Sequence, residues 1–346
     1  MRRHPGSRRP PSAINAIHPE KRSWRPALHR RGDRQRITRG TPSARRAVPR
    51  PSSCGVLVVS IVSALGEVAE RSQLIARGVR PREISAAIRR GAIVRVRRGW
   101  FATATASDEQ MAAVRIGGRL GGMTACATFG LWVPESAAIH ISLSRNSSRL
   151  RASPVSGRPI ILDWASDRPQ IHPARPAWRV DVGTAIAQSI RVLAPDEAVA
   201  MLDSALHHRL ISGAMVGKIL QKAPQRVRAI GPMIDSRAES GIESLVRVRL
   251  QQRGITSLPQ IEIPGVGRVD LLIGDRLVLE VDGRGFHSST DDFAHDRERD
   301  LTSAALGFRV IRLSYRQVIT DWPSSEAAIL AVIDAGEHRA SRRISG

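Results

Sequence analysis

Two short apolar runs near the C-terminus carry acids where acids are least welcome. Arg268-Val269-Asp270-Leu271-Leu272-Ile273 and Leu279-Glu280-Val281-Asp282-Gly283 flank the turn Gly274-Asp275-Arg276. Their apolar composition and the intervening turn predict two paired strands. Asp is depleted in strands and an unpaired buried carboxylate is costly, so Asp270, Glu280 and Asp282 need a compensating partner. A shared hard cation, Mg2+ or Mn2+, is the most economical one. On that reading Asp270 and Glu280 are the primary ligands, and the backbone carbonyl of Val281 is a third.

The flanking pattern predicts an α/β unit. An amphipathic helix covers 238–250 and is closed by Gly254; strands follow at 260–263, 269–273 and 277–281. A charged helix over 293–306 ends at Gly307, a strand covers 308–313 and a last helix 324–334. Glu243 can reach the acids from the first helix. Hydrolysing a phosphodiester requires an activated water and stabilisation of added charge, and a carboxylate-held cation serves both needs. His287, with an unperturbed pKa near neutrality, suits a general base or leaving-group acid. Arg297 and Arg312 suit a scissile phosphate.

These residues carry a family resemblance. Glu243, Arg268-Val269-Asp270-Leu271, Glu280-Val281-Asp282-Gly283, Phe286-His287, Asp296-Arg297, Arg299-Asp300-Leu301 and the run from Gly307 to Arg312 resemble the Vsr-like endonuclease domain of the PD-(D/E)xK superfamily. That domain is similar to the very-short-patch mismatch repair endonuclease. The resemblance covers 236–340 and implies a restriction-endonuclease-like α/β sandwich with a mixed sheet, and a metal-dependent phosphodiester hydrolase. The usual motif has lysine two residues after the glutamate. Asp282 stands there, as it commonly does in the Vsr-like domain, which shifts the burden to His287 or a metal-bound water.

Residues 56–106 read as three helices and a small hairpin. Pro81 starts the third helix and Gly91 follows its end, as capping chemistry prefers. A winged helix-turn-helix is expected, with Arg82, Arg89 and Arg90 on the groove-entering helix and Arg95, Arg97 and Arg98 on the wing. The steps Ser72-Gln73-Leu74, Gly78-Val79, Arg82-Glu83-Ile84 and Arg97-Arg98-Gly99-Trp100 resemble the N-terminal domain of AbiEi-family antitoxins, which implies DNA binding.

Charge agrees with an anionic partner. The formal net charge is +23, of which residues 1–50 supply +13 from 15 Lys/Arg against Glu20 and Asp33. That Arg/Pro-rich stretch, with 1–55 as a whole, is expected to be disordered. It is either a DNA-binding arm or sequence ahead of a true start near residue 56. Cys54 and Cys126 are too few for a disulfide framework, and the run Gly55–Val62 is too short to span a bilayer, so a soluble cytoplasmic protein is expected.

The connecting region 107–235 is expected to mix helix and strand: helices over 111–120 and 124–132, a strand over 139–143 and an amphipathic helix over 196–208. His207-His208 is expected to be solvent-exposed, since adjacent helical residues do not face one ligand site. Three functional readings stay open: a winged-helix-targeted Mg-dependent DNA endonuclease in phage defence or DNA repair, a non-enzymatic AbiEi-type antitoxin and autorepressor paired with a cognate toxin, and a nuclease acting on RNA. One winged helix plus one active site makes a homodimer on a palindromic site reasonable.

Overall fold

The computed structural model describes residues 53–148, 150–152, 157–165, 171–229, 231–282 and 290–340. The basic stretch 1–52 and His287 lie outside the described residues. In chain order the elements are α1 (Ser53–Ala64), β1 (Val68–Glu70), α2 (Arg71–Ala76), α3 (Pro81–Arg89), β2 (Val94–Arg97), β3 (Trp100–Ala102), α4 (Asp108–Ile116), β4 (Arg119–Leu120), α5 (Gly122–Thr128), β5 (Ile139–Ser144), β6 (Ile160–Ala165), α6 (Val182–Ser189), α7 (Pro195–His207), α8 (Gly213–Gln221), α9 (Gln225–Ala229), α10 (Gly241–Gln252), β7 (Ser257–Ile263), β8 (Gly267–Ile273), β9 (Leu277–Asp282), α11 (Thr290–Ala305), β10 (Arg309–Ser314), α12 (Tyr315–Ile319) and α13 (Trp322–Asp334). The fold is mixed α/β, with three sheets among the described residues.

The first three helices enclose an apolar cluster of Val62, Leu65, Leu74, Ile84, Ile93 and Phe101. Pro81 opens α3, and the Glu83 carboxylate accepts the Arg80 N–H at 2.8 Å. The hairpin β2–β3 gains a third strand, because β1 pairs antiparallel with β3. Three residues are too few for alternation to register, so β1 leaves no periodic signal in the sequence.

The middle region departs from expectation at its glycines. The helix expected over 111–120 stops at Ile116, and Arg119–Leu120 instead pairs antiparallel with β5. Gly117 takes the left-handed φ of 119°, and a Cβ on Gly118 would lie 2.6 Å from the Ser142 carbonyl. Only glycine permits that approach. The helix expected to reach residue 132 ends at Thr128; Trp132 instead packs over Gly241, where a Cβ would come within 2.1 Å of its ring. The structure adds β6, α6, α8 and α9 to the elements expected in this region.

The C-terminal sheet has the order β10-β9-β8-β7. β7, β8 and β9 are antiparallel neighbours, and β10 lies parallel to β9 after the α11 crossover. Leu271, Ile273, Leu277, Leu279, Val281 and Leu313 pack with Ile242, Leu245 and Val246 of α10. Val269 and Val278 belong to a second cluster with Ile263, Val266 and Val310.

A buried ion pair fastens α7 to α10. Arg247 Nη2 donates to Asp203 Oδ2 at 2.6 Å, with the aspartate side chain 0% and the arginine side chain 6% exposed. Arg247 Nη1 also donates to the Met233 carbonyl, and the Asp235 N–H donates to Asp203 Oδ1. Burial still pushes the Asp203 carboxyl up to about 6, against the pull of Arg247. Removing one partner of such a pair leaves an uncompensated charge. Asp203→Ala is expected to lower the unfolding free energy by about 3–5 kcal/mol in denaturant titration, and Asp203→Leu with Arg247→Met to recover most of it. A loss under about 1 kcal/mol for the single variant would show that the pair does not hold these helices.

Candidate active site

Asp270 lies in β8 and Glu280 in β9, strands that pair through Leu271↔Leu279, Leu272↔Val278 and Ile273↔Leu277. Side chains alternate along a strand, so Asp270 shares a face with Leu272, and Glu280 with Val278 and Asp282. Glu243 enters from the first turn of α10 and is 4% exposed. Ser240 caps that helix by accepting the Glu243 N–H, and the Glu243 carboxylate accepts the Glu239 N–H at 3.0 Å. Glu243 thus faces the strand that carries Asp270, and Glu280 stands on the strand beside it.

A neutral amide connects two of them. Gln260 Nε2 donates to Glu243 Oε2 at 2.8 Å and to Asp270 Oδ1 at 3.3 Å. The N–H of Val281, whose carbonyl is expected as a ligand, donates to Asp270 Oδ2 at 2.8 Å. Glu280 meets a cation instead: Arg299 Nη2 donates to Glu280 Oε1 at 2.8 Å. Arg299 is itself held by the Val266 and Arg268 carbonyls.

Electrostatics follow from that crowding. Burial, then the neighbouring Asp270, hold the Glu243 carboxyl above its ordinary range. Burial raises Asp270 in spite of the Val281 and Gln260 hydrogen bonds. Glu280 is pushed up to about 7 by burial, with Asp270 adding to the rise and Arg299 opposing it. Like charges sharing a poorly hydrated site raise one another in this way.

The remaining forecast residues divide. Asp282 is exposed and adds to the rise at Glu280. Arg312 stands opposite Glu280 in the parallel β9–β10 register, yet its guanidinium pairs with Asp300. Arg297 also pairs with Asp300, at 3.9 Å. The two arginines expected on a phosphate therefore converge on one aspartate, whose carboxyl the Arg312 hydrogen bonds hold low. His287 and the Asp296 side chain lie outside the described residues. Gln260 and Arg299 join the site without a role forecast from sequence. Arg299 leaves a signal in the step Arg299-Asp300-Leu301, whereas Gln260 leaves none beyond its place in a strand.

On the N-terminal block, Arg82, Arg89 and Arg90 are exposed, while Ile84 and Ala87 on the other side of α3 are buried. Arg95 and Arg98 are exposed as well. Arg97 turns inward: a bulge separates it from Arg95, and its Nη1 lies 2.7 Å from where a Gly117 Cβ would stand. His207 is half-buried and His208 exposed, their rings meeting edge-on at 5.4 Å. A cleft of about 760 Å³ between α4, α5 and the 133–138 segment contains none of the forecast site residues.

Whether the acids suit a divalent cation is a matter of donor chemistry. They are hard oxygens that raise one another's pKa, the condition a bound cation relieves. Among the described residues, however, no three His, Cys, Asp or Glu side chains are gathered closely enough to enclose an ion. The amide of Gln260 and the guanidinium of Arg299 contact these carboxylates instead. Carboxylate oxygens are the donor type a hard cation takes, and in this structure protein hydrogen-bond donors occupy them. No protein-family model matches the chain, and no curated protein matches it. Among the described residues no helix is long and apolar enough to cross a membrane.

A pH test reads the crowding. Glu280 has a folded pKa of about 7 against 4.5 for the free group. Between those values the native state holds more protons than the unfolded state. Its contribution is therefore fully present below 4.5 and is lost as pH rises through about 7. Relative to Glu280→Gln, the wild type is expected to lose up to about 3 kcal/mol of unfolding free energy between about pH 4.5 and about pH 7.5. A difference between the two proteins that does not vary with pH would contradict the placement of Glu280.

Proposed function

We propose that the chain is a DNA-binding protein with an N-terminal winged helix-turn-helix and a C-terminal PD-(D/E)xK-type, Vsr-like domain that hydrolyses DNA with Mg2+ or Mn2+. The observation that carries the hydrolase reading is the convergence of Glu243, Asp270 and Glu280 from one helix and two adjacent strands. The element order α10-β7-β8-β9-α11-β10, followed by α12 and α13, with its parallel β9–β10 pair, fits that superfamily's core. A cytoplasmic setting in phage defence or DNA repair accords with it.

Bound there, a divalent cation would supply a nucleophilic water near neutral pH and stabilise charge developing on phosphorus. Asp270 and Glu280 would hold it, with Glu243 supporting Asp270 through Gln260. Arg299 offsets the charge of Glu280 from the neighbouring helix. On the N-terminal block, Arg82 and Arg89 lie on the outward side of α3, a spacing that puts both toward one groove. Arg90, Arg95 and Arg98 extend the basic surface.

A second reading rests on a specific observation. Gln260, Val281 and Arg299 already satisfy the carboxylates, an arrangement suited to a nuclease-like fold kept only as a binding platform. The protein would then be a non-enzymatic AbiEi-type antitoxin and autorepressor.

Asp270→Ala separates the two readings. It is expected to abolish Mg2+- or Mn2+-dependent cleavage while leaving duplex binding unchanged. Wild-type protein that leaves duplex, mismatched, branched and single-stranded DNA intact would favour the repressor. For the N-terminal face, Arg89→Ala with Arg90→Ala should flatten the slope of log K against log salt by about 0.9 for each phosphate no longer neutralised. An unchanged slope would move DNA binding off α3.

A further inference from the structure

Gln260 lies in a strand with a backbone that does not belong there. Its φ is 55°, the left-handed region that residues other than Gly, Asn and Asp seldom enter. Glu67 and Arg209 are the other non-glycine residues with positive φ among the described residues, and both stand outside strands. The ladder between β7 and β8 runs Ser257↔Ile273, Leu258↔Leu272, Pro259↔Leu271, then resumes at Ile261↔Val269. The position skipped is Gln260 opposite Asp270. The strand keeps its register and gives up one pair, at the residue whose side chain bridges two acids.

We propose that Gln260 is a positioning residue of the carboxylate site: its side-chain amide sets the separation of Glu243 and Asp270 without consuming their negative charge, and the backbone is strained to place it there. This inference rests on the metal-dependent hydrolase reading above. The chemistry explains the residue type. A Lys or Arg at this point would neutralise the pair and compete with a divalent cation. A hydroxyl has one hydrogen to donate. A primary amide has two N–H donors and no charge, so it can hold both carboxylates and leave the site anionic. Backbone strain held in place by its surroundings tends to collect at functional sites, and here it coincides with the acids.

Mn2+ titration calorimetry and thermal unfolding on the full chain test this, using wild type, Asp270→Ala, Gln260→Met, Gln260→Ala and Gln260→Gly. Wild type is expected to bind Mn2+ and Asp270→Ala not to. Gln260→Met should stay folded yet bind Mn2+ about 10- to 100-fold more weakly, as happens when a ligand loses its supporting partner. Gln260→Gly should melt above Gln260→Ala, because glycine alone relieves the left-handed backbone; the Gly variant carries the titration if the Met variant does not fold. A merely structural role would shift melting and leave Mn2+ affinity alone. Should wild type bind, Asp270→Ala fail and Gln260→Met bind within about twofold of wild type, the positioning role is overturned and the metal site stands. Should wild type itself take up no Mn2+, both fall. An alanine variant melting above the glycine variant would refute the strain.

Discussion

Negative charge held out of water governs the C-terminal half of this protein. Glu243, Asp270 and Glu280 are mounted on separate elements that pack closely, so they cannot drift apart without breaking the sheet or detaching α10. Each is raised above its ordinary pKa, which states in protons what the geometry states in ångströms: the site is short of positive charge. Arg299 supplies one compensating cation and Gln260 supplies hydrogen bonds.

The scaffold bears this through a second buried charge pair, one member of which lies a turn along α10 from Glu243. Asp203 and Arg247 tie α7 to α10, and Trp132 closes over Gly241 at the start of α10. The helix that presents Glu243 is therefore gripped from the middle region as well as by its own sheet. The connecting region thus fixes the origin of one of the three acids. Trp178 extends the same logic toward the N-terminus, donating its ring N–H to the Leu65 carbonyl.

Much of this is legible in the residues. The strands around Asp270 and Glu280, the helix after residue 290 and the final strand all announce themselves, because short apolar runs bounded by turns and flanking glycines are readable signals. What escapes has identifiable causes. β1 and β4 are too short to show a period. Gly117 and Gly118 break a helical pattern for the sake of a close backbone approach that only a partner strand reveals. The pairing of Arg312 with Asp300 depends on a crossover that brings α11 beside β10, and Arg97 is turned inward by a bulge. Gln260 is invisible for the deepest reason: a strained φ leaves no mark in composition.

The most direct measurement is a crystal of the full chain soaked in Mn2+ at about pH 8, above the raised pKa of Glu280, and read by anomalous scattering. A peak is expected between Asp270 and Glu280, with Arg299 displaced from the Glu280 carboxylate. A site free of anomalous signal at saturating Mn2+, with Arg299 and Gln260 still in place on their carboxylates, would contradict a cation held by these acids.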